Sequence, residues 1–333
     1  MFRKGSISAL RYHCARPIPI RYRTITCQKI RMSASGPVKQ LMIDYQSRYP
    51  IRAKSLIATI FGDAVMPHGG VIWLGSLIKL AAPFGINERL VRTAVYRLAK
   101  EDWLHVEQVG RRSFYRLSEH GAHAFESADR RIYGRDDANW DGRWRLAVIN
   151  PAGTSARQRE LLRREFIWLG CAPIAPGVFA HPTADQQQLS RVAEDLGLPQ
   201  VLVTLTADGD TAQQPRMQAL FTAAAQVESL ATQYREFVVQ IDRLGTAVDA
   251  NNGEQAFVLR TLLIHEFRRV LLRDPSLPRA LLPADWPGIQ AREMTSNWYQ
   301  RLASASEMFL TEHARSLDAP YQAADDFLRQ RFK

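Results

Sequence analysis

Apolar residues recur at helical spacing in three successive stretches of the first third of the chain. The stretches cover residues 54–65, 71–82 and 88–100, and turns rich in proline and glycine separate them. Farther along, two short apolar runs with the alternating pattern of β-strands flank Gly110. The pattern therefore predicts three helices followed by a β-hairpin.

The third of these helices has an apolar face and a polar face. At 100° per residue, the apolar residues Val91, Val95 and Leu98 fall together, and Asn87 is placed to cap the first turn. Such a helix can dock on its own domain and present its polar face to a DNA major groove. We predict guanine or phosphate contacts for Arg89 and Arg92, base-edge contacts for Thr93 and Tyr96, and phosphate contacts for Arg97 and Lys100.

The tip of the predicted hairpin carries two arginines. Arg111 and Arg112 follow Gly110 directly, and arginine side chains suit bidentate contact with phosphates. We interpret the hairpin as a wing that lies along the sugar-phosphate backbone, so that residues 51–135 form a winged helix-turn-helix domain. Two other interpretations stay open: a winged-helix fold that contacts protein, and a charged helix followed by an unrelated hairpin.

Positive charge is concentrated in the same part of the chain. Residues 1–135 contain 23 Lys/Arg and 9 Asp/Glu, a net charge of +14, whereas residues 136–333 contain 21 and 24, a net charge of −3. Concentrated positive charge favours a polyanionic partner through counterion release. The charge alone does not distinguish DNA from RNA or from an anionic membrane surface.

The first 31 residues contain eight Lys/Arg and no acidic residue. They lack hydrophobic periodicity, so we predict that residues 1–50 are a disordered basic leader. A segment of this composition is typical of an organelle transit peptide or of an arm that grasps DNA. The interpretation that we favour is that translation starts at Met32.

Strands and helices alternate in the second third of the chain, which we assign to a domain at residues 140–212. The β, α, β, α, β succession is typical of a small ferredoxin-like α+β domain. It contains no glycine-rich phosphate loop. The predicted strands cover residues 144–149, 177–180 and 200–205, and the predicted helices cover residues 155–169 and 186–196.

Long helical patterns fill residues 213–333, and their apolar stripes indicate a core or a subunit interface rather than a cofactor site. The predicted fold class is thus α+β and multidomain: an N-terminal winged helix-turn-helix, a central ferredoxin-like α+β domain and a C-terminal α-helical domain. The helices of this last domain are predicted at residues 217–244, 254–272, 287–314 and 321–332.

No arrangement of residues indicates catalysis. His265 and Glu266 begin a zincin-like motif, but the second histidine is missing at the required spacing, and no P-loop, G-x-S-x-G or C-x-x-C motif occurs. Three cysteines without metal-site spacing fit a reducing cytosol, and no apolar run reaches the roughly 20 residues needed to cross a bilayer. We predict a cytoplasmic protein that is not an enzyme, with no metal and no cofactor.

Two alternatives from other functional classes stay open. One is an enzyme that carries a winged-helix module and acts on an aryl-CoA. The other is a metal-dependent nuclease or RNA-associated module, because a ferredoxin-like domain also occurs in such proteins. The nuclease would require a cluster of acidic residues at strand ends, and Asp141 is a lone candidate.

A family resemblance rests on six segments. They are SLIATIFGDA at residues 55–64, WLGSL at 73–77, NERLVRTAV at 87–95, GRRSFYRL at 110–117, LIHEFRRVLLRDP at 263–275 and LLPADWP at 281–287. In this order they resemble the PaaX-like repressors of phenylacetic acid catabolism, over residues 55–307. The resemblance implies a bacterial DNA-binding repressor with the three domains described above, released from its operator by phenylacetyl-CoA.

The resemblance also implies a homodimer, with residues 213–333 as the domain that dimerises and binds the effector. Two recognition helices would enter the major groove about one DNA turn apart, so we expect an inverted-repeat operator with half-sites ~10 base pairs apart or a multiple of this. An acyl-CoA needs cations for its phosphates and an aromatic pocket for its aryl group. The candidate side chains are Arg268, Arg269, Arg273, Trp286, Trp298 and Tyr299. Alternatively, these arginines form surface ion pairs and the tryptophans fill the core.

Overall fold

The computed structural model describes most of the chain from residue 51 onward. The described ranges are residues 42–43, 45–47, 51–134, 139–208, 213–246, 249–317, 319–324, 328 and 330–332. The predicted start at Met32 and most of the disordered leader predicted at residues 1–50 lie outside these ranges. The described residues 42–43 and 45–47 are helical, and Met42 and Tyr45 are buried in the core, in contrast to the prediction of disorder for this part. No helix within them is long and apolar enough to cross a membrane.

The first structural unit follows the order helix, strand, helix, helix, strand, strand, helix. A three-stranded antiparallel sheet with strand order β1-β3-β2 lies beside the helices. The chain forms α1 (Ala53–Ile60), a π-helical turn (Phe61–Val65), a 3-10 turn (Met66–His68), β1 (Val71–Trp73), α2 (Leu74–Ala81), α3 (Glu88–Lys100), β2 (Leu104–Val109), β3 (Arg112–Leu117) and α4 (Glu119–Tyr133).

The helix predicted at residues 71–82 is wrong in its first three residues, which form β1. Gly69 and Gly70, with φ angles of 84° and 73°, turn the chain out of the preceding helix. Ile72 then pairs with Tyr115 of β3. The β-branched residues at this point suit a strand, and pairing with β3 outweighs the helical spacing of the apolar residues.

The middle of the chain forms a four-stranded antiparallel sheet with two helices. Its order is β, α, β, β, α, β, and its strands lie in the sequence β5-β6-β4-β7, the arrangement of a ferredoxin-like domain. A separate buried core fills it. The elements are β4 (Arg143–Ile149), α5 (Ala156–Trp168), β5 (Ala172–Ala175), β6 (Val178–His181), α6 (Gln186–Asp195) and β7 (Leu202–Asp208).

The sequence pattern missed β5. This strand has only four residues, contains Pro173, and has an irregular register against β6. Proline cannot donate a ladder hydrogen bond, so it is confined to edge strands such as this one. Short length and the proline hide the alternation by which a strand is recognised.

Four long helices lie in the described residues of the last part of the chain: α7 (Gln214–Ala224), α8 (Val227–Thr246), α9 (Gly253–Leu271) and α10 (Pro287–His313). The single helix predicted at residues 217–244 is therefore two helices. Gln226 has a φ of 54°, and this left-handed residue ends one helix before the next begins. Residues 321–324 are not helical, whereas the described residues 328 and 330 are, so the helix predicted at 321–332 is wrong only in its first part.

Helix α9 is buried along nearly its whole length and lies at the centre of the molecule. Its apolar residues belong to one continuous buried cluster that also contains the apolar faces of α1, α2, α3 and α10. The first structural unit and the C-terminal helices thus share a core. A shift of α9 is transmitted to the helices of the first unit because packed interiors deform little.

A buried histidine predicts a pH dependence of stability. His265 of α9 lies within hydrogen-bonding distance of the Thr59 hydroxyl, with 2.9 Å between Nδ1 and Oγ1, and burial lowers the pKa of His265 to about 3. Since an unfolded histidine takes up a proton below about pH 6.5, the stabilisation is complete above that pH and is lost as the pH falls towards 3. We expect a loss of roughly 2 kcal/mol from His265 between pH 6.5 and pH 4.5.

Urea unfolding at a series of pH values measures this effect. The variant His265→Gln keeps a hydrogen-bonding group beside Thr59 but cannot take up a proton. Its free energy of unfolding should fall less steeply with decreasing pH than that of the wild type. Equal slopes for the two proteins would contradict the assignment.

Candidate nucleic-acid interface

Helix α3 begins and packs as its sequence predicts. The Asn87 side chain accepts a hydrogen bond from the backbone N–H of Leu90 at 3.0 Å, which caps the first turn. The predicted apolar face is buried. Before it, Gly85 adopts a φ of 70°, which lets the chain turn from α2 into α3 within a few residues.

The opposite face of α3 is exposed to solvent at all six predicted DNA-contacting positions. Tyr96 is the most exposed large hydrophobic residue on this helix, with 67% of its surface accessible. The hydroxyl of Thr93 donates to the carbonyl of Arg89 at 2.8 Å, so its oxygen keeps lone pairs that can accept from a base edge. A helix that reads DNA must expose its contacting side chains to the groove, and these six positions are exposed.

Only one of the cations on this face has an acidic partner among the residues that the structure describes. Arg92 pairs with Glu88, one turn earlier, with 2.7 Å between Nη2 and Oε1. Both side chains are more than half exposed, so the pair contributes little stability and is easily exchanged for a phosphate contact. Within the described ranges, Arg89, Arg97 and Lys100 form no ion pair.

The hairpin of β2 and β3 turns through two residues, Gly110 and Arg111. Gly110 has a φ of 59°, as the first position of a tight hairpin turn requires. Arg111 projects from the tip into solvent. The guanidinium of Arg112 lies over the ring of Trp73, 5.2 Å from its centroid, which fixes its direction by a cation-π contact.

Sequence reasoning missed Arg116. This residue is exposed on β3 and lies 3.5 Å from a carboxylate oxygen of Glu107 on the neighbouring strand. It adds a cation to the hairpin. We call the combined set the basic surface: Arg89, Arg92, Thr93, Tyr96, Arg97 and Lys100 of α3, with Arg111, Arg112 and Arg116 of the hairpin.

The three predicted effector-binding arginines point to different surroundings. Arg268 donates through one terminal nitrogen to the backbone carbonyl and the hydroxyl of Ser55, at 3.2 and 3.0 Å. Arg269 pairs with Glu266 at 2.9 Å. Arg273 is exposed beyond the end of α9.

The three predicted effector-binding aromatic residues are also separate from one another. Trp286 is buried edge-on against Tyr234, with 5.8 Å between ring centroids. Trp298 packs against Gly245, where an added Cβ would lie 2.1 Å from the indole. Tyr299 is fully buried and donates to Asp63 at 3.0 Å. The structure therefore does not bring the six predicted side chains into one pocket.

A buried charged cluster joins the first structural unit to the C-terminal helices. Asp63, in the π-helical turn after α1, pairs with Arg260 of α9 at 2.9 Å and with Arg331 near the C-terminus at 3.0 Å. Tyr133 and Tyr299 both donate to the same carboxylate oxygen, at 2.7 and 3.0 Å. Single π-helical turns within helices are frequent at functional positions.

The sequence contains a signal for this cluster, although the hydrophobic periodicity of the helices does not reveal it. Asp63 and Arg260 each stand inside a run of apolar residues on a helix. A charged side chain on a buried face requires an opposite charge or several hydrogen bonds. Sequence alone does not identify the partner, because 197 positions separate these two residues.

No group of three or more His, Cys, Asp or Glu side chains that could hold a metal ion occurs in the part of the chain that the structure describes. Asp141 pairs with Arg145 at 2.6 Å on the surface of the middle domain. Cys171 is buried, and burial raises the pKa of its thiol to about 12. It is therefore a thiol at neutral pH, as expected of a small core residue.

Comparisons with known proteins match all three parts of the chain. Residues 52–121 match the family profile described as PaaX-like protein, residues 137–219 the PaaX protein central Cas2-like domain, and residues 226–312 the PaaX-like protein C-terminal domain. A curated protein of Escherichia coli (strain K12), "Transcriptional repressor PaaX", is 34% identical over 288 residues, which cover 85% of this chain and 90% of that protein.

A solved structure shares the fold. The uncharacterized protein Rv0674 from Mycobacterium tuberculosis superposes with a TM-score of 0.51 at 23% sequence identity. The match covers 77% of this chain and 98% of that one. At this identity the likeness supports the arrangement of elements and carries no functional information.

Proposed function

The chain belongs to the PaaX-like family and is a transcriptional repressor, and we propose that its basic surface binds operator DNA as a winged helix-turn-helix. A repressor acts by occupying DNA, so the protein is a regulator and not an enzyme. The observation that carries the proposal is the exposed cationic face of α3 next to a hairpin tipped by arginine. The assignment as a repressor is supported by the curated relative, which is named as a transcriptional repressor.

The two parts of the basic surface have different tasks in this proposal. Helix α3 enters the major groove, where Arg89 and Arg92 contact guanine or phosphate, and Thr93 and Tyr96 contact base edges. Arg97, Lys100 and the hairpin arginines contact phosphates and fix the orientation of the helix. The order helix, strand, helix, helix, strand, strand and the sheet order β1-β3-β2 support this assignment.

We further propose that the protein acts as a homodimer on genes for phenylacetate degradation and that phenylacetyl-CoA releases it. The resemblance in sequence to the PaaX-like repressors supports both statements. A two-fold symmetric dimer reads an inverted repeat, with equivalent half-sites ~10 base pairs apart or a multiple of this. Release requires that the thioester bind more tightly to the conformation that is unable to hold DNA.

Hydroxyl-radical footprinting tests the proposal on the promoter regions of the protein's own and neighbouring genes. We expect two protected half-sites related by two-fold symmetry, and loss of protection when phenylacetyl-CoA is added. Free coenzyme A serves as the control ligand. Uniform weak protection along the whole fragment would contradict sequence-specific repression.

The hairpin tip yields a prediction about salt dependence. The change Arg111→Ala should weaken binding to specific and random DNA by a similar factor, because a phosphate contact carries no sequence information. The slope of log K against log salt should decrease in magnitude by about 1 for the lost contact.

Anisotropy titrations at several salt concentrations measure this slope. The matched control is Arg216→Ala, which removes an exposed arginine of α7 outside the basic surface. Its slope should equal that of the wild type. An unchanged slope for Arg111→Ala would remove the hairpin tip from the DNA interface.

A further inference from the structure

A cavity lies where the three parts of the chain meet. Its walls come from α1, the C-terminal end of α3, α4 and α9, and Trp168 of the middle domain adds a further side. Its volume is about 160 Å³, and most of its lining is apolar. A junction of domains is a frequent location for a ligand site.

The size of the cavity fits one aromatic ring. An apolar cavity of about 150 Å³ in another protein admits benzene, so about 160 Å³ admits a phenyl group and excludes the bulk of a coenzyme A molecule. Ala58 of α1 and Ala128 of α4 both line the cavity, and Trp103 and Phe125 meet edge-to-face with 5.7 Å between their ring centroids. Such walls suit a flat apolar group.

One cation borders this space without an acidic partner. Arg268 lines the cavity and donates only to the neutral oxygens of Ser55, and no carboxylate lies within ion-pair distance of it among the described residues. Its removal from water lowers the pKa of the guanidinium to about 10. The remaining guanidinium N–H groups can donate to a carbonyl or an anionic oxygen of a ligand.

The cavity also touches the proposed reading helix. Leu98 and Glu101, at the C-terminal end of α3, belong to its walls. The carboxylate of Glu101 forms an ion pair with Lys54 of α1 across the same space. A ligand that widens the cavity therefore displaces α3 relative to α1 and α9, and a small displacement of a reading helix is enough to misplace its contacts with bases.

We propose that this cavity receives the aryl group of an aryl-acyl thioester, with Arg268 at the polar end of the acyl group, and that occupation displaces α3. The proposal rests on the function proposed above, because that function supplies the thioester effector. The coenzyme A part extends out of the cavity. Of the residues that sequence reasoning selected for the effector, Arg268 is the one that this proposal retains.

Filling the cavity tests the proposal. The variants Ala128→Leu and Ala58→Leu add bulk from two different walls, and Ala122→Leu adds the same bulk to α4 at a position outside the lining. Trp103 and Trp168 line the cavity, so binding of phenylacetyl-CoA is measured by quenching of tryptophan fluorescence. Release of operator DNA is measured by anisotropy at fixed salt.

We expect each filling variant to weaken binding of phenylacetyl-CoA at least tenfold, because the added side chain takes the space of the aryl group and that group loses its apolar contacts. Operator affinity should stay within about threefold of the wild type. The control Ala122→Leu should behave as the wild type in both measurements. Arg268→Met should weaken binding of phenylacetyl-CoA and leave coenzyme A binding unchanged. Free phenylacetate, tested in parallel, should not release the protein from its operator, because it lacks the thioester and the coenzyme A part.

The outcomes separate this proposal from the function on which it rests. If phenylacetyl-CoA releases wild-type protein from its operator and releases both filling variants equally well, the cavity is not the site, although the repressor function stands. If the wild type binds its operator and phenylacetyl-CoA neither binds nor releases it, the effector itself is wrong. If Ala128→Leu alone loses operator binding, Ala58→Leu decides the question, because it fills the cavity from a different helix.

Discussion

A protein that carries Arg89→Ala, Arg92→Ala and Tyr96→Ala is expected to lose sequence-specific binding to its operator by a factor of about 10³ or more. Each good base contact contributes about 1–3 kcal/mol, and tenfold in affinity corresponds to about 1.4 kcal/mol. All three side chains are exposed on one face of α3. The change at Arg92 also leaves Glu88 unpaired, so that a negative charge faces the phosphates.

Anisotropy titration against operator and random DNA at one salt concentration measures this loss. The matched control removes two arginines, Arg163 and Arg164, which are exposed on α5 of the middle domain. The control should retain the ratio of specific to non-specific affinity. A triple variant that still distinguishes operator from random DNA as the wild type does would show that α3 is not the reading helix.

The variant Asp63→Ala is expected to lower the free energy of unfolding by about 3–5 kcal/mol, the usual effect of removing one partner from a buried ion pair. Asp63 accepts hydrogen bonds from Arg260 and Arg331 at 2.9 and 3.0 Å. Its removal leaves the buried Arg260 with the more distant Glu307 at 3.9 Å, and Arg331 with the partly exposed Asp129 at 2.8 Å.

Urea unfolding compares this variant with Asp208→Ala. Asp208 pairs with Arg143 at 2.7 Å, but 73% of its side chain is exposed, so its removal should cost at most about 1 kcal/mol. A larger loss in the free energy of unfolding for Asp63→Ala than for Asp208→Ala would show that burial of the ion pair, and not its presence alone, sets the effect. Similar small losses for both variants would show that the cluster around Asp63 does not hold the first unit to the C-terminal helices.

The sequence predicted best those elements whose pattern depends on local spacing. The burial of Val91 and Leu98 on α3, the cap at Asn87 and the strands on either side of Gly110 are all confirmed. In each case the periodicity of the element and the side that it buries are set by residues within a few positions of each other. The sequence also predicted the ferredoxin-like order of helices and strands in the middle domain, although it missed the strand β5.

Elements that depend on distant partners could not be predicted in the same way. Residues 71–73 form a strand because β3 is available some forty positions later, as the pairing of Ile72 with Tyr115 shows. Likewise, proximity along the sequence suggested that Arg268 and Tyr299 belong to one site. The fold places the first beside Ser55 and the second in the cluster around Asp63.

We propose that an aryl thioester releases this repressor from operator DNA. A fluorescence-anisotropy titration on promoter DNA, with and without phenylacetyl-CoA at fixed salt, tests it most directly, since phosphate contacts make affinity depend on salt. We expect tight, sequence-selective binding that phenylacetyl-CoA relieves and free phenylacetate does not. Binding to promoter DNA no tighter than to random DNA would rule out a sequence-specific repressor.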